Sequence, residues 1–231
     1  MSILNPALFT SIDDYELARL ESEKIDLKLG FEVEQIENEL LIKAKELDPQ
    51  GNHKTWGAKL HGGNQTWVGL SHQTLQTPYS ELVKMCQHLD PSAGSRVVDL
   101  GAGYGRMGLV LKAFYPEVSF LGYEYVAERV VEGKRILSLY ECSLSELLVQ
   151  DLTAKDFQLP VADFYFVYDY GTVGHIRETL KQFETMADSH KFKLIARGKG
   201  TRSLIQYEHP WLASIYPSIH EENFSIFSTY D

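Results

Sequence analysis

Arg96-Val-Val-Asp-Leu-Gly-Ala-Gly-Tyr-Gly-Arg-Met107 is the stretch around which the rest of the chain is organised. An apolar strand, 96–100, runs into a glycine-rich turn and then into a helix over 107–114. Glycines at alternate positions let the backbone adopt positive φ and bring bare N–H groups close to a ligand, where a Cβ would obstruct them. The helix directs its N-terminus at the turn and favours negative charge there. The stretch therefore predicts a nucleotide-type binding turn.

An acidic residue follows the turn at an informative distance. Glu124 ends the next apolar run, 118–123. This is close to the spacing of about 20 residues at which an acid reaches a ribose in dinucleotide-binding folds. The turn and the acid together predict a site for a ligand that carries a ribose.

These two features resemble the class I S-adenosylmethionine-dependent methyltransferases. The run 99–105, Asp-Leu-Gly-Ala-Gly-Tyr-Gly, is similar to their first motif, and Glu124 is similar to the ribose-binding acid of their second. The resemblance extends from about Thr74 to the C-terminus. It implies a Rossmann-like α/β fold, with a mostly parallel seven-stranded sheet and helices on both faces, and S-adenosyl-L-methionine as cofactor. The cofactor-binding residues that it implies are Thr77, Pro78, Asp99, Gly101, Ala102, Gly103, Gly105, Glu124, Tyr125, Asp151 and Leu152.

Two other functions compete with methyl transfer. The run 103–108, Gly-Tyr-Gly-Arg-Met-Gly, is also a literal G-x-G-x-x-G, the fingerprint of NAD(P)- and FAD-binding oxidoreductases. Its register is wrong for them, because the strand ends at Leu100 and Gly101 takes the position directly after it. Asp99 suits a ligand with an ammonium group better than a pyrophosphate. A methyltransferase is therefore favoured over an oxidoreductase, and a non-catalytic S-adenosylmethionine-binding protein is the third alternative.

Length and composition limit the architecture and the partners. The 231 residues, 44% of them hydrophobic, suit one large α/β domain with an extension. The expected division is 1–73, an N-terminal helical extension and loop, and 74–231, the methyltransferase domain. A net charge of −10 argues against broad nucleic-acid binding.

The two cysteines, Cys86 and Cys142, are not spaced from each other or from a histidine as metal ligands are, so no metal site is predicted. No leader or membrane span is recognised, and a reducing, cytoplasmic location is expected.

The first 78 residues predict helix and then loop. A cap at 11–14 precedes apolar residues at helical spacing from Leu29 to Leu47, although alternation over 25–33 also fits a short strand. The Glu-rich face is expected to be solvated, and the apolar stripe to pack on the catalytic domain rather than on a second copy. The stretch 52–78 is expected to be irregular and, with Trp56 and Trp67, to close over the cofactor or to form an ordered surface loop.

The remaining chain alternates between helices and strands. Helices are predicted over 80–89, 127–140 and 174–189, and strands over 147–150, 163–168, 192–197 and, antiparallel, 223–230. The basic run 198–202 is interpreted as a flexible loop with solvated charges. The role of 209–211, His-Pro-Trp, is not assigned. Asp151 ends the third strand, where the resemblance implies contact with the adenine and a turn cap is nearly as good an explanation.

Asp169 and Tyr170 are the candidate catalytic residues. They follow the fourth strand, and ligands lie outside that end of an open α/β sheet, near the point where strand order reverses. Many amino-methylating relatives carry Asn or Asp, two prolines and an aromatic residue there, whereas this chain has Asp-Tyr-Gly-Thr. Asp169 is expected to accept a hydrogen bond from the methyl acceptor, and Tyr170 is expected to pack against it.

The segment 77–79, Thr-Pro-Tyr, resembles the protein-lysine methyltransferase branch. This resemblance implies a protein lysine as the methyl acceptor; a small molecule is the alternative. Nitrogen or oxygen as the nucleophile, and the oligomeric state, stay open.

Overall fold

A seven-stranded sheet forms the centre of the protein, which is described over residues 4–230 by a computed structural model. The strand order is β3-β2-β1-β4-β5-β7-β6. The strands are Arg96–Leu100 (β1), Ser119–Glu124 (β2), Ser145–Val149 (β3), Phe164–Tyr168 (β4), Lys193–Arg197 (β5), Ile219–His220 (β6) and Phe224–Ser228 (β7). The first five are parallel, and β7 runs antiparallel to both β5 and β6. The predicted Rossmann-like sheet and its antiparallel closing strand are confirmed.

Ten α-helices are assigned within residues 4–230. They are Tyr15–Leu29 (α1), Val33–Leu47 (α2), Trp56–Leu60 (α3), His72–Leu75 (α4), Tyr79–Leu89 (α5), Arg106–Phe114 (α6), Ala127–Leu139 (α7), Val173–Ala187 (α8), Lys199–Glu208 (α9) and Pro210–Ala213 (α10), after a 3-10 turn at Pro6–Leu8. The predicted bounds after residue 78 agree to within about two residues, except over 198–202.

Strand β1 shows why both faces of the sheet are covered. Val97 lies in the core that α1, α2, α5, α6 and α7 share, whereas Val98 lies in the core beneath α8, α9 and α10. Successive side chains of a strand point to opposite faces, so an unbroken apolar run requires a helical layer on each side. Because β2 and β4 flank β1, the strand order reverses at β1, and its carboxyl end is where a ligand site is expected.

The N-terminal helices belong to the same core. Helix α1 is capped at its N-terminus by Asp14, whose carboxylate accepts from the Leu17 N–H, and at its C-terminus by Gly30, whose φ is 85°. Gly30 separates α1 from α2, so the alternative strand over 25–33 is wrong. Leu29 and Val33 are buried in the core that α5, α6 and α7 share, so the start of the apolar stripe packs on the rest of the protein as predicted, whereas Leu47 at its end is 61% exposed.

Three expectations about polar segments change. The acidic face is not wholly solvated, because Glu37 is only 8% exposed and pairs with Arg129. The run 198–202 is not a loop, since α9 begins at Lys199 and the Asp169 carboxylate caps it. The stretch 52–78 is not wholly irregular, because it contains the short helices α3 and α4.

The segment 209–211, whose role the sequence left unassigned, leads into α10, and His209 is buried. No helix within residues 4–230 is long and apolar enough to cross a bilayer.

Candidate cofactor and acceptor site

A cavity of about 250 Å³ lies at the carboxyl ends of the parallel strands. Its floor follows the strand ends, at the position that the sheet topology predicts. The predicted residues that line it are Gly101, Gly103, Glu124, Tyr125, Asp151, Leu152, Asp169 and Tyr170. The other predicted residues, Thr77, Pro78, Asp99, Ala102 and Gly105, are not part of this lining. Several residues of the 64–76 segment, which we call the cover segment, also line the cavity.

Two glycines of the turn, Gly101 and Gly103, have different surroundings. Gly101 has φ 93°, and a Cβ there would lie 2.9 Å from the Tyr170 Cβ. Gly103 has φ 54°, and a Cβ there would meet nothing within 4 Å. The first glycine therefore allows close packing across the site, and the second presents an unobstructed face of the turn.

The Glu124 carboxylate is held by hydrogen bonds from backbone N–H groups, one of them in the glycine-rich turn. Its Oε2 accepts from the Gly103 N–H at 3.0 Å, and its Oε1 accepts from the Val126 N–H at 2.9 Å. The side chain is buried and lines the cavity. A carboxylate offers about four lone-pair positions, so two acceptor positions are left for a ligand. Glu124 is thus oriented to accept hydrogen bonds from hydroxyl groups.

Two buried polar groups near the turn have no hydrogen-bond partner within residues 4–230. One is Asp99 Oδ1 and the other is Gln76 Nε2. Burial, with a contribution from the charge of Glu124, raises the pKa of Asp99 well above the usual carboxyl range. Gln76 is only 8% exposed and lines the cavity. Buried polar groups are normally satisfied, so Gln76 Nε2, in the cavity lining, points to a ligand that supplies the missing partner, whereas Asp99 Oδ1, the other group without a partner among residues 4–230, lies outside that lining.

Gln76 was not predicted from the sequence. It directly precedes Thr77, whose backbone carbonyl accepts from Arg106 Nη1 at 3.1 Å. The Thr77-Pro78 segment therefore fixes the backbone beside the cavity, and Gln76 supplies the side chain that reaches it. In the sequence, the only indication that Gln76 belongs to the site is its position directly before the Thr77-Pro78 segment.

Asp151 lies at the far end of the cavity, after β3. Its carboxylate accepts from the Thr153 N–H at 2.8 Å, from the Thr153 hydroxyl at 2.6 Å and from Asn64 Nδ2 at 3.2 Å. Burial alone would raise the pKa of Asp151, but the Thr153 and Asn64 hydrogen bonds bring it below the usual range. Asp151 both caps a turn and holds the cover segment through Asn64.

The polar side chains on the β4 side of the cavity are held by internal hydrogen bonds. Asp169 accepts from the Gly200 N–H at 3.1 Å, from the Thr201 N–H at 2.7 Å and from the Thr201 hydroxyl at 2.8 Å. The Tyr170 hydroxyl bonds that of Thr179, and burial raises the pKa of Tyr170 to about 12. Asp169 therefore anchors the start of α9 while it lines the cavity.

Tyr168 and His175 complete this side without having been predicted. The Tyr168 hydroxyl donates to the Thr74 carbonyl at 3.0 Å, and the Arg197 guanidinium lies 4.2 Å from the Tyr168 ring centroid. His175 lines the cavity from the first turn of α8, where its Nδ1 accepts from the Thr172 N–H at 3.4 Å. Neither residue forms a motif, so only the folded chain brings them to the site.

The two tryptophans of the 52–78 stretch have different positions. Trp67 lines the cavity, and its φ is 56°. Trp56 does not line the cavity; its Nε1 donates to the Asp48 carbonyl at 3.0 Å and its ring packs with Leu40 and Val68. Only Trp67 is placed to sense a ligand directly.

Comparison with solved structures agrees with the topology. The precorrin-6Y C5,15-methyltransferase of Geobacter metallireducens aligns with a TM-score of 0.52 over 69% of this chain and 91% of its own, at 11% identity. The chain has a methyltransferase fold. A SAM-dependent methyltransferase from Aquifex aeolicus aligns at a TM-score of 0.47 and 12% identity, over 64% of this chain and 88% of its own. An RNA methyltransferase from Salinibacter ruber, solved with S-adenosyl-L-homocysteine, aligns at 0.47 and 15% identity, over 66% and 91%. No protein family and no curated protein matches the chain by sequence.

Proposed function

We propose that the protein is an S-adenosylmethionine-dependent methyltransferase. The observation that carries this proposal is the Glu124 carboxylate, fixed on the glycine-rich turn at the point where the strand order of a methyltransferase fold reverses. A ribose presents two adjacent hydroxyl groups, and Glu124 retains acceptor positions for them.

The other polar groups of the cavity fit the same cofactor. Asp99 Oδ1 and Gln76 Nε2 lack partners near the turn, and an amino-acid group carries both an ammonium and a carboxylate that match them. Asp151, beyond Glu124, is proposed to accept from the adenine amino group. The adenosine would then extend from Glu124 towards β3, and the methionine part would lie at the turn.

When bound, S-adenosyl-L-methionine supplies a methyl group that is already activated on a sulfonium. The chain therefore has to align a nucleophile for in-line displacement and exclude water, and positioning accounts for most of the rate. Asp169 is proposed to accept a hydrogen bond from the acceptor and Tyr170 to pack against it. Both side chains are held in place, Asp169 by α9 and Tyr170 by Thr179.

The favoured acceptor is a nitrogen, in a protein lysine or in a small molecule. A carboxylate flanked by the rings of Tyr168 and Tyr170 suits an amine, because aromatic faces and carboxylates both attract cations. The Thr77-Pro78-Tyr79 resemblance favours the lysine. Buried free thiols at Cys86 and Cys142 support a reducing compartment, and a cytoplasmic location is proposed.

The sheet topology disfavours the oxidoreductase alternative. Dinucleotide-binding folds have the order 3-2-1-4-5-6, whereas here an antiparallel strand lies between β5 and β6. Mass spectrometry of natively purified protein tests the choice: bound S-adenosylmethionine or S-adenosylhomocysteine is expected, and bound NAD or FAD would overturn the proposal. Incubation with methyl-labelled cofactor and a cell extract then separates an enzyme, which labels an acceptor, from a non-catalytic binder.

A further inference from the structure

Arg129 is the centre of a buried polar cluster that reaches the cavity. Its Nε donates to Glu37 Oε1 at 2.8 Å, and its Nη2 donates to Glu37 Oε2 at 3.1 Å. Its Nη1 donates to the Thr66 carbonyl at 3.2 Å. Burial disfavours the charge of Arg129, but Glu37 and Glu124 raise the pKa of its guanidinium above the ordinary value. One side chain thus joins helix α2, helix α7 and the cover segment.

The distance between Arg129 and Glu124 shows that the two side chains are close but not hydrogen-bonded. Arg129 Nη1 lies 3.7 Å from Glu124 Oε1, which is too long for a hydrogen bond. The guanidinium instead forms its two-pronged contact with Glu37, and the Tyr104 hydroxyl donates to the same Glu37 carboxylate at 2.9 Å. The charge of Arg129 is therefore close to Glu124 without occupying its acceptor positions.

We propose that Glu37 and Arg129 are positioning residues for the ribose-binding carboxylate, an inference that rests on the proposed function. Glu37 holds the guanidinium away from Glu124. Without the charge of Glu37, Arg129 would have Glu124 as its nearest remaining carboxylate and would move into direct contact with it. Glu124 would then offer fewer acceptor positions to a ribose. The N-terminal extension in this way contributes a residue to cofactor selectivity.

The same arrangement links the extension to the cover. Because Arg129 also donates to the Thr66 carbonyl, a shift of the guanidinium towards Glu124 would release that contact. Loss of Glu37 is therefore expected to loosen the cover near residue 66 as well as to alter Glu124.

A second buried ion pair provides a matched control. Asp26, on α1, accepts from Arg106 Nε at 3.2 Å and from the Tyr79 hydroxyl at 2.8 Å. Asp26 and Arg106 are buried like Glu37 and Arg129, yet neither lines the cavity. Substitution of Asp26 removes a comparable buried charge at a site that does not touch Glu124.

The experiment compares Glu37→Gln with Asp26→Asn. Calorimetry measures the affinity of each protein for S-adenosylhomocysteine and for its 2′-deoxy analogue, and thermal unfolding measures stability. The wild type is expected to prefer the ribose form by about tenfold, the value of one charge-assisted hydrogen bond. Glu37→Gln should reduce this preference to about twofold or less, whereas Asp26→Asn should keep it even where its melting temperature falls as far.

Retention of the ribose preference in folded Glu37→Gln would overturn the inference. Should Glu37→Gln fail to fold, Tyr104→Phe removes only the hydroxyl that helps to fix Glu37, and it is expected to lower the preference by about threefold. An unchanged preference in that variant would overturn the inference equally. A wild-type protein that binds no S-adenosylhomocysteine would instead refute the proposed function itself.

Discussion

The two sides of the cavity differ in how their polar groups are satisfied. On the side of the glycine-rich turn, Gln76 Nε2 in the cavity lining and Asp99 Oδ1, near the end of β1 and outside that lining, are buried without a partner within residues 4–230. On the β4 side, Asp169 accepts three hydrogen bonds, and the hydroxyls of Tyr168 and Tyr170 each have a partner. The first side holds polar groups that have no partner among the described residues, whereas each of the three polar side chains named on the second side has at least one.

This difference separates two kinds of recognition. A buried unsatisfied polar group destabilises a protein by about 1–3 kcal/mol, and a ligand that pairs with it regains this energy. The turn side is therefore expected to bind its ligand through specific polar contacts. The β4 side has little unmet hydrogen-bonding demand beyond one remaining acceptor position on Asp169, so the methyl acceptor would be selected mainly by shape and by contact with aromatic rings. Such selection leaves few recognisable signatures in a sequence.

The largest expected effect is on the turn side. Glu124→Ala should weaken S-adenosylhomocysteine binding by more than about tenfold, because a charge-assisted hydrogen bond contributes about 1.5–3 kcal/mol. Calorimetry measures this loss. Glu146→Ala, which removes an exposed carboxylate from β3, serves as the control and should bind like the wild type. Unchanged affinity in folded Glu124→Ala would show that the cofactor does not rest on this carboxylate.

Asp99→Asn should separate stability from binding. The raised pKa of Asp99 means that the folded, cofactor-free protein retains a proton that the unfolded chain releases at about pH 4. Stability is therefore lost as pH rises from about 4 towards the raised pKa. The neutral amide avoids this loss, so the melting temperature at neutral pH should rise by about 2–4 °C.

The same variant should bind S-adenosylhomocysteine less tightly, since the amide lacks the charge that attracts an ammonium group. Thermal unfolding between about pH 5 and 8, without and with the ligand, measures both effects. A variant that is less stable than the wild type at every pH would contradict the assignment of Asp99 as an unsatisfied acid.

Asp169→Asn tests the β4 side. The amide provides one acceptor oxygen where the carboxylate provided two, so an N–H of α9 loses its partner and stability should fall by about 0.5–2 kcal/mol. Cofactor affinity should stay nearly unaltered while turnover falls, as expected for an interaction made with the acceptor. Thr201→Val removes another hydrogen bond to the same carboxylate and leaves its charge. Equal losses of turnover in the two variants would reduce Asp169 to a helix cap.

The smallest effect concerns the cover. Binding of S-adenosylhomocysteine should change tryptophan fluorescence through Trp67, which lines the cavity, and slow proteolysis within 52–78. Trp67→Phe should abolish most of the fluorescence change, and Trp56→Phe should keep it. If the segment is cut equally fast with and without ligand, it does not close over the site.

The elements that sequence analysis predicted well are those whose causes are local. Apolar runs, the alternate glycines and the acid at Glu124 specify the strands, the turn and one side of the cavity within short spans. Helix α9 was missed because Gly198 and Gly200 disfavour helix, whereas the cap that stabilises it comes from Asp169, 32 residues before Thr201. The partner of Arg129 was missed for the same reason, since Glu37 lies 92 residues away. Pairing across such separations depends on the folded chain.

The two buried arginines have an evolutionary consequence for the N-terminal helices. Arg106 pairs with Asp26 on α1, and Arg129 pairs with Glu37 on α2. Removal of one partner from a buried ion pair costs about 3–5 kcal/mol, a large share of the 5–15 kcal/mol that typically separates folded from unfolded domains. We therefore expect the two helices and the arginines to be inherited together, with changes at these four positions arising as two pairs. A homologue that keeps both arginines but lacks both carboxylates would contradict this expectation.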